Sequence, residues 1–264
     1  VGDYNGDGNV ELLNYGFNCY ETTNSAANDS KLRIYPNSNA YTFKIVKITD
    51  ALGNTTTINY KSLATGGIYE RGTGTEFPVQ DLCPPVNVVS SVTRSNGIAG
   101  TNTVEYKYGG LRAHCQGKGI LGFASMKASN KILGTEEATD ITSWDNNLYM
   151  PAQAVTTIKN GPVETKTVTN YTITDIGNKT VFVYLGKTVA TDIYGNVTET
   201  ENTYNISYGF LLSTKTSYDD GAYTATEYDS YLKKGNRWIP QQVTNRSKHP
   251  DDNTEYSDIV KLEY

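Results

Sequence analysis

The chain has 264 residues and a net charge of −5, and it contains 21 Tyr and 24 Gly but only 2 His and 3 Cys. This length allows one large all-β domain or two smaller domains, and the negative charge argues against nucleic-acid binding, which requires a concentrated basic patch. No apolar stretch is long enough to span a membrane. Tyr, Thr and Val favour half-buried strands, and Asn and Gly favour the turns between strands.

The first eleven residues carry oxygen-bearing side chains at alternate positions, followed by a glycine that allows a tight turn. A hard cation such as Ca²⁺ takes roughly six to eight oxygen ligands, and alternate residues of a tight turn can direct them to one point. The sequence therefore predicts a calcium site formed by the side chains of Asp3, Asn5, Asp7 and Glu11 and by the backbone carbonyl of Asn9. An Asx-rich β-turn without a metal is the alternative interpretation.

A domain boundary is expected near residues 36–45, which gives a calcium-loop segment over residues 1–45 and a second segment over residues 46–264. A strand is predicted over 43–48, and a tight turn from Asp50 to Asn54 leads into the next strand. Glycines and a proline predict an irregular loop over 69–83, before a strand that starts at Val86.

A glycine-rich stretch from Val104 to Phe123 is predicted to organise the fold. It opens with alternating residues that place Tyr106 and Tyr108 on one face of a strand. We expect Gly109-Gly110 to end that strand, and the later glycines to form bulges or close backbone contacts. In the segment that follows, Leu121 and Phe123 are expected to be buried.

The last hundred residues repeat one pattern of strand, polar turn and strand. Asp starts each turn by accepting a backbone hydrogen bond, and Gly or Asn takes the position with positive φ, as in Asp192 to Asn196. Because such turns recur along this segment and no helix of about ten residues is convincing, the sequence predicts an all-β fold of antiparallel hairpins.

Residues that could carry chemistry also have structural explanations. His114 and Cys115 are adjacent and would point apart on a strand, which disfavours a thiol nucleophile with a neighbouring base. Trp238 could present a flat sugar-binding surface, but a core position is the more common role of such a residue. The cysteines are odd in number and widely spaced, which favours free thiols over a disulfide framework or a zinc site: Cys19, Cys83 and Cys115. No cofactor other than calcium is predicted.

Several motifs together resemble the Rhs/YD-repeat family, and within it the B components of Tc insecticidal toxins. The opening Gly2-Asp-Tyr-Asn-Gly-Asp-Gly8 is similar to the calcium loops of the β-propeller that precedes the Rhs shell in that family. Motifs similar to the start of the shell follow in the family's order, at Ile48–Asn54, Phe77–Val79, Val88–Val92, Tyr106–Gly110 and Gly117–Phe123, and Thr191–Asn196 matches a single YD-type repeat. Glu11 departs from the pattern, because the propeller loops usually carry Asp there.

The resemblance implies an extended, curved Rhs-type sheet with a remnant of a propeller blade at the N-terminus. It implies a non-catalytic structural segment of a hollow β-shell that encloses or presents a toxin or effector. The implied partners are the rest of that shell and the enclosed effector, and the implied location is secreted or at the cell surface. Apart from the resemblance, exposed sheet edges predict self-association of the chain. The rival interpretation is a cell-surface module that binds glycan or protein.

Overall fold

The computed structural model describes residues 44–98, 100–178, 180–251 and 254–263, together with two strands at residues 12–16 and 31–35. It divides into two compact units, Val1–Ile132 (unit 1) and Leu133–Tyr264 (unit 2). Most of the predicted boundary region near residues 36–45 and all of the calcium loop lie outside the described residues, and both stay predictions.

Unit 1 contains nine of the described strands. They are β1 (Leu12–Gly16), β2 (Lys31–Tyr35), β3 (Lys47–Thr49), β4 (Thr55–Ser62), β5 (Tyr69–Glu70), β6 (Val79–Asp81), β7 (Asn87–Ser95), β8 (Thr101–His114) and β9 (Gly119–Asn130). One 3₁₀ turn lies at Leu63–Thr65. β1 and β2 form a two-stranded antiparallel sheet, and β3-β4-β7-β8-β9 pair in that order, with β5 and β6 also pairing with β8.

Unit 2 consists of the strands β10 (Thr135–Trp144), β11 (Pro151–Asn160), β12 (Val163–Asp175), β13 (Val181–Thr191), β14 (Val197–Tyr204), β15 (Leu211–Tyr218), β16 (Tyr223–Asp229), β17 (Leu232–Lys234), β18 (Arg237–Ile239), β19 (Gln242–Lys248) and β20 (Glu255–Lys261). The strands from β10 to β16 pair consecutively, β16 then pairs with β19, and β19 pairs with β20. All these pairings are antiparallel, and β17 and β18 form a separate small sheet. The expected all-β fold of antiparallel hairpins in an extended sheet is confirmed.

The central glycine-rich stretch corrects one prediction and confirms another. Gly109-Gly110 does not end the strand, because β8 continues to His114 with Gly110 at φ +57°. A bulge was expected, and it lies in β9: Arg112 pairs with Gly122 but Ala113 pairs with Ile120, so the residue between has no partner. Gly122 takes φ +113° at this bulge, a conformation that favours glycine.

The core of unit 1 draws partly on the segment 69–83, which the sequence predicts to be an irregular loop. Residues Leu63, Ile68, Tyr69 and Leu111 are buried together, and Leu82, Val88, Tyr108 and Phe123 pack against them. The predicted loop therefore contributes Tyr69 and Leu82 to this core. Leu121 and Phe123 are half-buried rather than buried, and Phe123 lies at the margin of this small core.

Two turns share one Asp-centred hydrogen-bond pattern. The Oδ1 atom of Asp192 accepts from the backbone N–H of Tyr194 at 2.8 Å and of Asn196 at 2.9 Å, and its Oδ2 accepts from the Asn196 side chain at 2.8 Å. Asp50 makes the same three contacts with Leu52 and Asn54. Hydrogen bonds from the Asn side chain and the backbone lower the pKa of both carboxyl groups. The Asp-x-x-Gly-Asn sequence thus specifies a hairpin turn.

We expect the turn at Asp192 to weaken in acid. A carboxyl group with a lowered pKa in the folded state stabilises the fold above its unfolded pKa, and this contribution is lost as the pH falls through the folded pKa. The protection factor of the Asn196 amide should therefore fall when the pH drops below the ordinary Asp value of 3.8. NMR hydrogen exchange measures this quantity.

The turn at Asn96 provides an internal control. Asn96 Oδ1 accepts from the backbone N–H of Gly100 at 2.8 Å, and the amide does not titrate. The protection factor of the Gly100 amide should not change over the same pH range. Asp192→Asn should remove the pH dependence of the protection factor of the Asn196 amide. An unchanged pH profile in that variant would contradict the assignment.

Candidate functional site

The predicted metal ligands Asp3, Asn5, Asp7, Asn9 and Glu11 all lie outside the described residues. Within the described residues, no three His, Cys, Asp or Glu side chains come together as a metal site.

His114 and Cys115 do not form a nucleophile and base pair. His114 is 8% exposed at the end of β8, and its Nδ1 atom accepts a hydrogen bond from the backbone N–H of Gln116 at 3.2 Å. The Cys115 thiol lies 3.8 Å from Gln80 Oε1. Cys83 and Cys115 are exposed and are free thiols, as predicted, whereas Cys19 lies outside the described residues.

A buried carboxylate lies in unit 1, and sequence reasoning missed it. Asp81 is 4% exposed, and its Oδ2 accepts from the Thr75 hydroxyl at 2.9 Å. Its Oδ1 lies 3.8 Å from Arg112 Nε, and Arg71 donates to its backbone carbonyl at 3.0 Å. Because a Cβ on Gly72 would lie 2.4 Å from Asp81 Oδ1, the glycine is required for this arrangement. These contacts stabilise the loop and hold it against β8.

Two shallow clefts lie on the described part of the chain. A cleft of about 410 Å³ lies between the turns at Asp50 and Asn96, and one of about 320 Å³ lies on β16, β19 and β20. Each presents a single carboxylate, Asp50 in the first and Asp258 in the second. Acid–base hydrolysis of glycosides uses a pair of carboxylates, which neither cleft provides.

The main feature of unit 2 is a sheet with two chemically different faces. On one face the register aligns hydroxyl side chains across six neighbouring strands: Thr169, Thr188, Thr200, Thr216, Thr224 and Ser247. The next row on this face continues with Asn202, Thr214, Thr226 and Asn245. We call these ten residues the hydroxyl face; none of them carries a charge.

Side-chain hydrogen bonds connect the hydroxyl face across the strands. Thr200 and Thr216 join hydroxyl groups at 3.2 Å, and Thr214 donates to Asn202 Oδ1 at 2.8 Å. Thr226 donates to Asn245 Oδ1 at 3.1 Å. Such cross-strand pairs stabilise a sheet without burial. The Thr-x-Thr repeats in the sequence were the available signal for this face.

The opposite face carries ion pairs. Lys187 Nζ lies 2.5 Å from Glu199 and 3.4 Å from Glu201, and Arg246 Nη1 lies 3.1 Å from Glu255 Oε1. The hydrogen bond with Glu199 raises the pKa of Lys187. The hydrogen bonds with Tyr223 and Arg246 lower the pKa of Glu255. We call this the charged face.

The main sheet of unit 2 buries very few of its described residues. Among its described residues only Ala154 and Thr244 are buried. A soluble sheet ordinarily buries one face against helices or another sheet. Taken by itself, the main sheet of unit 2 is therefore a single layer, and its described residues are nearly all exposed or half-buried on both faces. The described residues contain no helix with the length and apolar character needed to cross a bilayer.

The aromatic residues are distributed in two ways. Phe182, Tyr184 and Tyr204 contact one another along neighbouring strands, with Tyr184 and Tyr204 rings 4.7 Å apart. Trp238 belongs to a second cluster at the strand ends, with its ring 4.7 Å from that of Tyr208. Trp238 is half-buried there, so it is neither a core residue nor a fully exposed platform.

Comparison with known proteins identifies the family. Residues 2–154 match the family model described as the insecticide toxin TcdB middle/N-terminal region. No curated protein matches the chain significantly. A crystal structure of TcdB2-TccC3-TEV shares the fold at 8% identity and a TM-score of 0.51, with 77% of this chain and 14% of that chain covered.

A structure of a Photorhabdus luminescens Tc holotoxin pore also matches, with 10% identity, a TM-score of 0.51, and coverage of 76% of this chain and 14% of that chain. The crystal structure of TcdB2-TccC3-Cdc42 gives a TM-score of 0.49 at 8% identity, over 74% of this chain and 14% of that one. The chain thus spans about a seventh of the length of these chains. On the family match, which covers more than half of its residues, the chain belongs to the family of the insecticide toxin TcdB middle/N-terminal region.

Proposed function

We propose that this chain is a non-catalytic structural segment of a toxin-complex β-shell of the Rhs type, which encloses or presents a toxin or effector. Family membership supports the toxin complex. The observation that carries the proposal is the single-layer sheet of unit 2, in which both faces contact solvent. A wall between an interior and an exterior needs two wetted faces, whereas a globular enzyme needs a buried core.

The chemistry of the two faces fits such a wall. The hydroxyl face offers uncharged groups that already hydrogen-bond to one another. Such a surface attracts neither acidic nor basic polypeptide strongly, because exposed neutral hydroxyl groups are already well solvated by water. The ion pairs of the charged face suit a solvated exterior.

Site-specific photocrosslinking tests the enclosure. A benzoylphenylalanine is placed at Thr200 on the hydroxyl face or, as the matched control, at Ser217 on the charged face, in the full-length protein assembled with its effector. Ser217 pairs with Glu199, the neighbour of Thr200, and so lies on the opposite face. Crosslinks to the effector from Thr200 and not from Ser217 are expected. Crosslinks from neither position would overturn the proposal.

A cell-surface module that binds glycan or protein is the second candidate, and the aromatic cluster at Tyr208 and Trp238 is the observation that favours it. The cluster lies on neither of the two clefts described above. Binding of the isolated protein to a glycan array or to host cells, without any effector crosslink, would establish this candidate over the shell.

Calcium binding at Asp3, Asn5, Asp7, Asn9 and Glu11 belongs to the same proposal, as part of a propeller blade before the shell. Calorimetric titration with CaCl₂ should show binding that Asp7→Ala abolishes, because the variant loses a charged oxygen ligand. The same titration with MgCl₂ is the control. Equal heats from the parent and Asp7→Ala would contradict the site.

The proposed location is outside the producing cell, and the proposed partners are the rest of the shell and its effector.

Strand β20 pairs only with β19 among the described strands, and its Tyr256, Ile259 and Val260 are exposed. An unpaired, partly apolar edge promotes association with other strands. We expect the chain to self-associate in sedimentation velocity, and Ile259→Lys to shift it toward monomer. Thr254→Lys, just before the strand, should have little effect.

A further inference from the structure

The connection between β16 and β19 is an excursion that the main sheet does not need. β16 and β19 pair directly, from Tyr223↔Lys248 to Asp229↔Gln242. The residues between them form the separate hairpin of β17 and β18. Other strand pairs of unit 2 are joined by short turns, such as Gly161-Pro162 between β11 and β12. Loops beyond the needs of a scaffold commonly carry binding functions.

Aromatic contacts hold this hairpin in place. The Tyr231 ring stacks on Phe210 at 3.8 Å, and the Trp238 ring lies 5.8 Å from Phe210 and 4.7 Å from Tyr208. The Tyr231 hydroxyl donates a hydrogen bond to the carbonyl oxygen of Leu211. These contacts hold the hairpin in one position, so less conformational entropy of the hairpin is lost when a ligand binds.

The hairpin carries three exposed basic side chains in a protein with a net charge of −5: Lys233, Lys234 and Arg237. No acidic residue occurs between Tyr231 and Lys248. Lys233 lies over the Trp238 ring at 5.7 Å. Among the described residues, no carboxylate comes within salt-bridge distance of these three side chains. We call residues 232–239 the basic hairpin.

Two of these cations oppose each other. Lys234 and Arg237 are directly cross-strand partners. Like charges in such a pair destabilise a hairpin, and local conflicts of this kind are typical of functional sites. A carboxylate between the ammonium and guanidinium groups would relieve the repulsion and accept charge-assisted hydrogen bonds from both.

We propose that the basic hairpin binds an acidic segment of a partner polypeptide, with one carboxylate bridging Lys234 and Arg237. Tyr208, which is 60% exposed beside Trp238, offers apolar contact next to the charges. Three cations are too few for nucleic acid, where stable binding involves roughly six to ten phosphate contacts. They also fall short of the clusters of about four to eight Lys or Arg that bind anionic membranes. The inference does not depend on the shell.

Binding of a fluorescein-labelled octaglutamate peptide to the full chain, followed by anisotropy at low salt, tests the proposal. Lys234→Gln with Arg237→Gln should weaken binding at least tenfold. The control, Lys47→Gln with Lys107→Gln, makes the same change in net charge at exposed positions of unit 1 and should change affinity less than twofold. Equal losses in the two variants would show non-specific attraction and overturn the proposal.

A second variant separates binding from folding. Lys234→Glu places opposite charges across the hairpin, so it should raise the melting temperature while it abolishes peptide binding. Loss of binding together with a lower melting temperature would assign Lys234 a structural role instead. Binding to phosphatidylserine vesicles is measured last. If the protein bound these vesicles through Lys234 and Arg237 but did not bind octaglutamate, the ligand of the basic hairpin would be an anionic membrane and the proposal would be overturned.

Discussion

Leu111→Ala is expected to destabilise unit 1 by about 2–5 kcal/mol, the range for removing a large aliphatic side chain from a core. Leu111 is 5% exposed and packs in the small core with Leu63, Ile68 and Tyr69. Because this core is small, neighbouring side chains can fill little of the cavity. Urea unfolding followed by hydrogen exchange on peptides that cover β8 measures the change.

Leu52→Ala is the matched control for this substitution. Leu52 is 88% exposed at the tip of the β3–β4 turn, so the same loss of side-chain volume removes little packing. The free energy of unfolding of the Leu52→Ala variant should remain within about 0.5 kcal/mol of that of the parent protein. A loss at Leu52 as large as that at Leu111 would show that the assigned core does not hold unit 1 together.

Gly110→Ala should cost about 2–5 kcal/mol, from two separate causes. Gly110 has φ +57°, where an L-residue pays roughly 1–2 kcal/mol. A Cβ there would also lie 2.8 Å from the Cβ of Ala124, and overpacking of this kind typically costs about 1–3 kcal/mol. The same hydrogen-exchange measurement over β8 and β9 determines the total.

Gly119→Ala separates the two causes. Gly119 has φ +76°, but an added Cβ would meet no atom within 4 Å. This variant should therefore show only the backbone contribution, roughly 1–2 kcal/mol. If Gly110→Ala and Gly119→Ala lowered the free energy of unfolding equally, the close approach of Gly110 to Ala124 would not contribute to the cost of Gly110→Ala.

Local sequence signals predicted the hairpins of unit 2 well. The turn predicted from Asp192 to Asn196 is observed, and it leads directly into β14 (Val197–Tyr204). The Asp that starts each turn and the Gly with positive φ act over a few residues, so they determine the turn without help from the rest of the fold.

Prediction was less successful where distant residues meet. The expected break at Gly109-Gly110 does not occur, because β5 pairs with β8 at Tyr108 and Gly109 and β6 pairs with it from Arg112 to His114. The loop over residues 69–83 supplies Tyr69 and Leu82 to the core, although its glycines and proline suggested irregular structure. Pairing partners and core contacts at such sequence separations leave no local pattern.

The sequence by itself determined the all-β class, the turns and the resemblance to the toxin family, because these depend on side-chain alternation and on short motifs. Only the tertiary structure decided which residues share a face. The hydroxyl face arises because register aligns Thr188, Thr200 and Thr216 across strands, and the basic hairpin because Phe210 packs on Tyr231. Register and packing are set by contacts between strands, which a single strand's sequence does not specify.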